Sequence, residues 1–182
     1  GLTRAATVIE TLREQAALED VIITIENGDF IQGSPLTNYI EKVDQSAVSL
    51  YDDLAETMGY DVRILGNHEF NYGRDYLERV LGQNDLLLNA NVLDERSGEP
   101  FIGRPYTIIE RGGVKVGVVG LITKYVPNWE QPANIHGLTF ADPVEVAKRY
   151  VDELRPQVDV LVLAYHGGFA EDLETGEPLE RL

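Results

Sequence analysis

Apolar runs separated by polar breaks along this chain predict alternating strands and helices. Short apolar runs bounded by glycine are typical of buried strands, and four of them predict strands at residues 21–26, 62–65, 86–88 and 158–165. Other segments carry apolar residues at helical spacing or between helix start and stop signals, which predicts helices at 2–18, 43–58, 74–81 and 142–154. This order favours an α/β fold with a mixed sheet.

Local signals predict where several elements end. Gly59 is expected to stop the second helix, and Gly112-Gly113 between two β-branched runs predicts a hairpin. Asp142-Pro143 combines an N-cap with proline at the first helical position. Gly33-Ser34-Pro35 and the segment 94–104 are interpreted as a turn and a surface loop. The acidic tail 169–182 has no clear period and is interpreted as a loop or a partly disordered segment.

Candidate metal-binding residues follow three of the predicted strands. Asp29 comes after the first strand, Asn67 and His68 after the second, and His166 ends the last one. Ligands of open α/β sheets bind beyond the carboxyl ends of the strands. Aspartate, asparagine and histidine together suit a divalent cation better than they suit a core. We therefore expect Asp29, Asn67 and His166 to converge on one spot.

Each of these residues also has a structural interpretation. Asp29 alone fits an ordinary turn, Asn67 fits a strand end, and His166 fits a hydrogen-bonded buried histidine. Glu69 is expected to fix its loop by accepting backbone hydrogen bonds. His136 lies in a loop without comparable context, and no role is predicted for it. No serine-nucleophile elbow, phosphate-binding glycine loop or dinucleotide-binding glycine pattern occurs in the chain.

Composition narrows the class of partner. The chain has 182 residues, enough for one domain with a sizeable core, and its net charge of −16 disfavours nucleic acid polymers as partners. It contains no cysteine, which excludes disulfides and thiolate metal sites. No apolar run approaches the roughly 18 residues of a membrane span.

The motifs, in their order, resemble those of the calcineurin-like metallophosphoesterases. Residues 27–36 and 66–73, followed by His166, look like the bacterial 5′-nucleotidase / 2′,3′-cyclic-nucleotide 2′-phosphodiesterase group. Segments 89–92 and 127–142 fit its cyclic-nucleotide phosphodiesterase branch. The resemblance implies a β-sandwich with mixed sheets flanked by helices, and hydrolysis of nucleotide phosphoesters.

The resemblance also implies a role for each site residue. Asp29 would bridge two divalent metal ions, Asn67 and His166 would bind the second ion, and His68 would protonate the leaving oxygen. Asn71 stands where 5′-nucleotidases carry an aspartate that orients the catalytic histidine, so a strict His–Asp dyad is not expected. The ions could be Mn, Fe, Zn or Co, because nitrogen and oxygen ligands accept all of them. The implied location is extracytoplasmic: periplasm, cell wall or secreted.

Two departures from the family pattern shape the expected domain organisation. The family opens with a strand that carries Asp-x-His and later has Gly-His-x-His, and neither pattern occurs here. Residues 1–182 are therefore expected to be part of a catalytic domain, incomplete at both ends and without the C-terminal nucleoside-binding domain. Such a piece is expected to be inactive on its own, and an exposed sheet edge is expected to favour self-association.

Other functions remain open at this stage. Within the same class, the protein could be a 5′-nucleotidase or a nucleotide-sugar hydrolase. A different class is a non-catalytic surface or binding module that keeps the fold and has lost the chemistry. A structural α/β domain without a site would require Asp29, Asn67 and His166 to follow strands by coincidence.

Overall fold

The computed structural model describes residues 1–169 and 174–177. In this part of the chain the α-helices are α1 (Leu2–Gln15), α2 (Pro35–Lys42), α3 (Leu50–Met58), α4 (Arg74–Leu81) and α5 (Pro143–Leu154). The strands are β1 (Ile25–Glu26), β2 (Val62–Ile64), β3 (Leu87–Leu88), β4 (Val92–Asp94), β5 (Tyr106–Arg111), β6 (Val114–Ile122), β7 (Leu138–Phe140) and β8 (Val160–His166). Helices and strands alternate over most of this length, as the apolar pattern predicts.

The described strands form two three-stranded sheets and one two-stranded ribbon. Strands β1, β2 and β3 are parallel, whereas β6 pairs antiparallel with β5 and parallel with β8. The ribbon pairs β4 with β7 antiparallel. The two larger sheets bury a common apolar layer made of Val62, Ile64, Leu88, Val116, Val118 and Ala164. The predicted β-sandwich with mixed sheets is therefore confirmed.

Helices cover both outer faces of the sandwich. One apolar cluster packs α2, α3 and α4 against the first sheet, and its fully buried members include Ile40, Tyr51, Leu77 and Leu87. Another packs Tyr150 and Leu154 of α5 on the second sheet. The two sheets approach closely at Gly120, where an added Cβ would lie 2.6 Å from the carbonyl oxygen of Leu88.

Several local predictions are confirmed. Helix α4 spans the expected residues, and the Asp142 side chain caps α5 by accepting from the amides of Val144 (2.9 Å) and Glu145 (3.3 Å). Gly59 ends α3 in the left-handed conformation, with φ of 63°. The hairpin at Gly112-Gly113 joins β5 to β6.

Other local predictions are wrong, for identifiable reasons. The predicted turn at residues 33–35 is the start of α2, because the Ser34 side chain caps the amide of Thr37 and proline is favourable at the first helical position. The predicted helix 43–58 starts as an α-helix only at Leu50, because Asp44 caps a 3₁₀ turn before it. The strand at 21–26 shrinks to β1, and the three-residue β7 is too short to show a period.

Two further expectations meet the limits of the described residues. The tail predicted as a loop falls mostly on 170–173 and 178–182, outside those residues. Among the residues that are described, every helix is too short or too polar for a bilayer crossing.

Candidate functional site

The predicted metal-binding residues come together at one edge of the sandwich. Parallel pairing of β1 with β2 places the loops that carry Asp29 and Asn67 at the same edge. Strand β8 of the other sheet ends there at His166. The Nε2 atom of His166 lies 3.1 Å from Oδ1 of Asn67 and 3.3 Å from Oδ2 of Asp29. Three residues far apart in sequence therefore share one spot.

Two glycines allow the loops to approach this closely. A Cβ added to Gly28 would lie 2.5 Å from the amide nitrogen of Gly66, and a Cβ on Gly66 would run into Asp29. Asp29 itself has a φ of 65°, the left-handed region that non-glycine residues seldom adopt. Such strain persists only where neighbouring groups over-determine the backbone, and it clusters at functional sites.

Glu69 supplies that constraint. Its side chain is buried, and its two oxygens accept four backbone hydrogen bonds, from the amides of Gly66 (2.6 Å), Asp29 (2.7 Å), Phe30 (2.6 Å) and Ile31 (3.2 Å). One carboxylate thus joins the loop after β1 to the loop after β2. The expectation that Glu69 fixes its loop by accepting backbone hydrogen bonds is confirmed.

His166 is oriented by a backbone contact that the sequence does not reveal. Its Nδ1 lies 2.6 Å from the carbonyl oxygen of Asn27, which turns Nε2 towards Asp29 and Asn67. The hydrogen bond to Asp29 raises the pKa of His166 to about 9, against the opposing effect of burial. Burial alone would raise the pKa of Asp29, but the hydrogen bonds from His166 and from the His68 amide outweigh it and leave that pKa below its ordinary value.

The donor set fits a divalent cation. A carboxylate oxygen, an amide oxygen and an imidazole nitrogen are ligands for such ions, and an Nδ1–H bonded to a carbonyl is the usual support of a histidine that ligates through Nε2. The side chains of Asp29 and His166 are 32% and 20% exposed, so the spot remains accessible to solvent. Within residues 1–169 and 174–177, no three or more His, Cys, Asp or Glu side chains cluster in a way that could hold a metal ion. The present site differs because its third donor is the side-chain amide of Asn67.

His68 and Asn71 form the second predicted group. The amide of His68 donates to Oδ1 of Asp29 at 2.9 Å, and the exposed imidazole places Nδ1 2.7 Å from Oδ1 of Asn71. Asn71 in turn donates from Nδ2 to Glu130 at 2.6 Å. The structure therefore brings His68 and Asn71 together beside Asp29. Glu130 lies in a loop without a period and 59 positions from Asn71 in the chain, so sequence patterns do not identify it.

A buried ion pair lies behind the site. Glu26 accepts from the amide of Gly28 at 2.6 Å, and Nε of Arg63 lies 3.4 Å from its other oxygen. The guanidinium of Arg63 also sits over the ring of Phe30, 4.7 Å from its centroid. Burial, with the negative charge of Glu69, raises the pKa of Glu26 to about 7 although Arg63 opposes the shift.

This shift predicts a pH-dependent stability. Because the folded-state pKa exceeds the ordinary value of 4.5, the contribution from Glu26 is fully present below pH 4.5 and is lost as pH rises through 7. We expect the wild-type chain to lose about 2 kcal/mol more than Glu26→Gln between pH 5 and 8, measured by urea unfolding. Glu10→Gln, on the exposed helix α1, is the matched control and should follow the wild type. Parallel curves for wild type and Glu26→Gln would contradict this account.

Several known proteins with similar sequences are named as nucleotide phosphodiesterases or nucleotidases. A 2′,3′-cyclic-nucleotide 2′-phosphodiesterase/3′-nucleotidase of Yersinia enterocolitica is 38% identical over 94% of this chain. A 5′-nucleotidase of Vibrio vulnificus is 29% identical over 97% of it. The chain spans 28% and 31% of the lengths of these two relatives. No protein-family model matches the chain.

Solved structures agree with this grouping. A putative 5′-nucleotidase from Staphylococcus aureus superposes with a TM-score of 0.84 at 39% identity, covering 96% of this chain and 33% of that one. The calcineurin-like phosphoesterase YfkN from Bacillus subtilis gives 0.80 at 31% identity, covering 98% and 57%.

In fold and in sequence the chain is a homologue of calcineurin-like phosphoesterases. Within the class, the chain is a homologue of the bacterial 5′-nucleotidase and 2′,3′-cyclic-nucleotide 2′-phosphodiesterase group, as its motifs predict.

Proposed function

We propose that the protein containing this chain hydrolyses nucleotide phosphoesters with divalent metal ions, acting as a 2′,3′-cyclic-nucleotide 2′-phosphodiesterase and 3′-nucleotidase. The observation that carries the proposal is the convergence of Asp29, Asn67 and His166, with His68 bonded to Asp29 through its amide. Cyclic-nucleotide phosphodiesterases are among the relatives at 38% and 35% identity, and Asn71 stands where the 5′-nucleotidase pattern has aspartate. These two points favour the cyclic-nucleotide reaction.

Asp29, Asn67 and His166 would hold a metal ion in this scheme. When bound, divalent ions activate a water for in-line attack on phosphorus and stabilise the attacking and leaving oxygens. Oδ2 of Asp29 faces His166, and Oδ1 accepts a hydrogen bond from the amide of His68. We propose two ions, of Mn, Fe, Zn or Co, and Asp29 would be a ligand shared by both.

His68 would act as general acid. Its Nδ1 is occupied by Asn71, which leaves Nε2 to give a proton to the leaving oxygen of the ester. The carbonyl oxygen of Asn71 then stabilises the Nδ1–H that stays on the ring. His68 is exposed and lies beside the half-buried Asp29, so a phosphate bound at the metal site would lie next to the His68 side chain.

A 5′-nucleotidase activity is the second candidate. It is favoured by the 39% identity to the Staphylococcus aureus protein and by the Vibrio relatives. Rates on 2′,3′-cyclic AMP, 3′-AMP and 5′-AMP, measured with the whole protein in Mn²⁺, separate the two candidates.

Replacing His68 tests the proposed chemistry. We expect His68→Gln to lower kcat on 2′,3′-cyclic AMP by roughly 10²- to 10⁴-fold, because the leaving oxygen loses its proton donor. Metal content should stay the same, since His68 is not one of the three donors. His136→Gln is the matched control, because among the described residues the ring of His136 hydrogen-bonds only to the carbonyl of Ala133 in its own loop. A His68→Gln enzyme with wild-type kcat would contradict the assignment.

We propose an extracytoplasmic setting for the protein, in the periplasm, in the cell wall or secreted. A structural relative is named as a 5′-nucleotidase precursor from Thermus thermophilus, which supports an extracytoplasmic location. Residues 1–182 are proposed to be part of the catalytic domain of this protein. Self-association through a sheet edge stays a prediction.

A further inference from the structure

A carboxylate reaches His68 indirectly, through the side chain of Asn71. Glu130 follows the 3₁₀ turn Val126–Asn128, and its Oε2 lies 2.6 Å from Nδ2 of Asn71. Its other oxygen accepts from Nδ2 of Asn134 at 2.8 Å and from the amide of Gln131 at 2.7 Å. Glu130 is therefore held from both sides and directed at the group that contacts the candidate general acid.

The chemistry of these groups fixes the direction of each hydrogen bond. An ionised carboxylate only accepts, so the amide nitrogen of Asn71 must face Glu130 and its oxygen must face His68. An amide oxygen also only accepts, so Nδ1 of His68 must carry the proton. Nε2 is thereby the nitrogen left for the substrate. The identity of residue 130 thus decides which tautomer of His68 is stable.

We propose that Glu130 is a positioning residue that orients His68 through Asn71. In a His–Asp dyad the carboxylate contacts the histidine directly. In this Glu130–Asn71–His68 relay, the side-chain amide of Asn71 lies between the carboxylate and the histidine. The orientation is a property of this chain alone, whereas its effect on catalysis rests on the proposed function.

Glu130 is not needed to hold its loop in place, because other hydrogen bonds already attach that loop to the rest of the chain. Nδ2 of Asn134 also donates to the carbonyl of Asn71 at 3.2 Å, and the amide of Arg74 donates to the carbonyl of Asn134 at 2.9 Å. These contacts remain when Glu130 is replaced. Loss of the carboxylate should therefore free the Asn71 amide to turn over without releasing the loop.

The first readout is the tautomer of His68 in the metal-free chain, from long-range ¹H–¹⁵N spectra at a pH where the ring is neutral. We expect a single Nδ1–H form in the wild type and a mixture of both tautomers in Glu130→Gln, because glutamine can present either an oxygen or an NH₂ group to Asn71. Glu10→Gln, on exposed α1, should match the wild type. An unchanged Nδ1–H population in Glu130→Gln overturns the proposal.

Rescue supplies a second, independent readout. Asn71→Asp combined with Glu130→Gln places a carboxylate directly on Nδ1 of His68 and should restore the single tautomer. If Glu130→Gln does not fold, Asn71→Ala breaks the same relay and should show the same mixture. A double variant that folds but still shows both tautomers of His68 would count against the relay.

Kinetics of the whole protein link the relay to catalysis. We expect Glu130→Gln to lower kcat on 2′,3′-cyclic AMP by roughly 10- to 100-fold with little change in KM, and the double variant to recover most of it. Unchanged kcat in Glu130→Gln overturns the positioning role. If the wild-type protein shows no turnover, the proposed function fails, and the tautomer measurement still decides whether Glu130 orients His68.

Discussion

Glu69→Ala is expected to destabilise the chain by about 4 kcal/mol or more, a large part of the roughly 5–15 kcal/mol that holds a typical domain folded. The Glu69 carboxylate accepts hydrogen bonds from four backbone amides at the point where the loops after β1 and β2 meet. Each buried amide left without an acceptor costs roughly 1–3 kcal/mol, and water reaching the cavity recovers only part of this. The left-handed conformation of Asp29 would also lose its support.

The size of this effect can be graded. Glu69→Gln keeps one oxygen and turns an NH₂ group towards the amides that the other oxygen served, so its cost should be smaller than that of alanine but still above about 1 kcal/mol. Urea unfolding at fixed pH measures both variants. Glu145→Ala, an exposed residue paired with Lys148, is the matched control and should cost well below 1 kcal/mol. A Glu69→Ala chain within 1 kcal/mol of wild type would contradict the account.

Asp29→Asn is expected to weaken Mn²⁺ binding by at least about 100-fold, which exceeds the 10- to 100-fold usually lost when only a supporting partner is removed. The substitution keeps an oxygen for the amide of His68 but removes the negative charge that faces His166. A neutral amide is a weaker ligand for a hard cation, so the loss should appear mainly as affinity. Calorimetric titration of the chain with Mn²⁺ measures it.

The matched control for this prediction is Asp75→Asn. Asp75 is exposed in the first turn of α4 and is not one of the three donors, so its replacement should leave the Mn²⁺ affinity unchanged. Equal affinities for Asp29→Asn and wild type would remove Asp29 from the metal site. Loss of affinity in both variants would point to non-specific attraction by an acidic surface.

The sequence predicts the strand ends well because apolar runs stop at glycines. The runs ending near Glu26, Leu65 and His166 are strands in the structure, β2 buried at every residue and β1 and β8 only partly buried. Parallel pairing brings the ends of β1 and β2 to one edge, and the end of β8 in the other sheet lies at the same edge. Periodicity therefore carries both the fold and the placement of Asp29, Asn67 and His166. It succeeds where a strand is buried on one or both faces.

The same signals fail where local chemistry is ambiguous. Ser34 and Pro35 suit a turn and a helix start equally, and only the capping bonds between Ser34 and Thr37 decide for the helix. Asn27 acts through a backbone carbonyl, which any residue could supply. Glu130 reaches Asn71 from a distant loop, and the pairing follows from tertiary packing rather than from a local pattern.

The most direct test is whether a metal ion binds at the three donors with Nε2 of His166 as one of its ligands. The chain has three histidines, and long-range ¹H–¹⁵N spectra distinguish both nitrogens of each ring. On addition of Zn²⁺ we predict that the Nε2 resonance of His166 shifts while Nδ1 keeps its proton on the carbonyl of Asn27, and that both nitrogens of His136 stay unchanged. An unmoved His166 under saturating Zn²⁺, or a shift at His136 instead, would contradict the central claim.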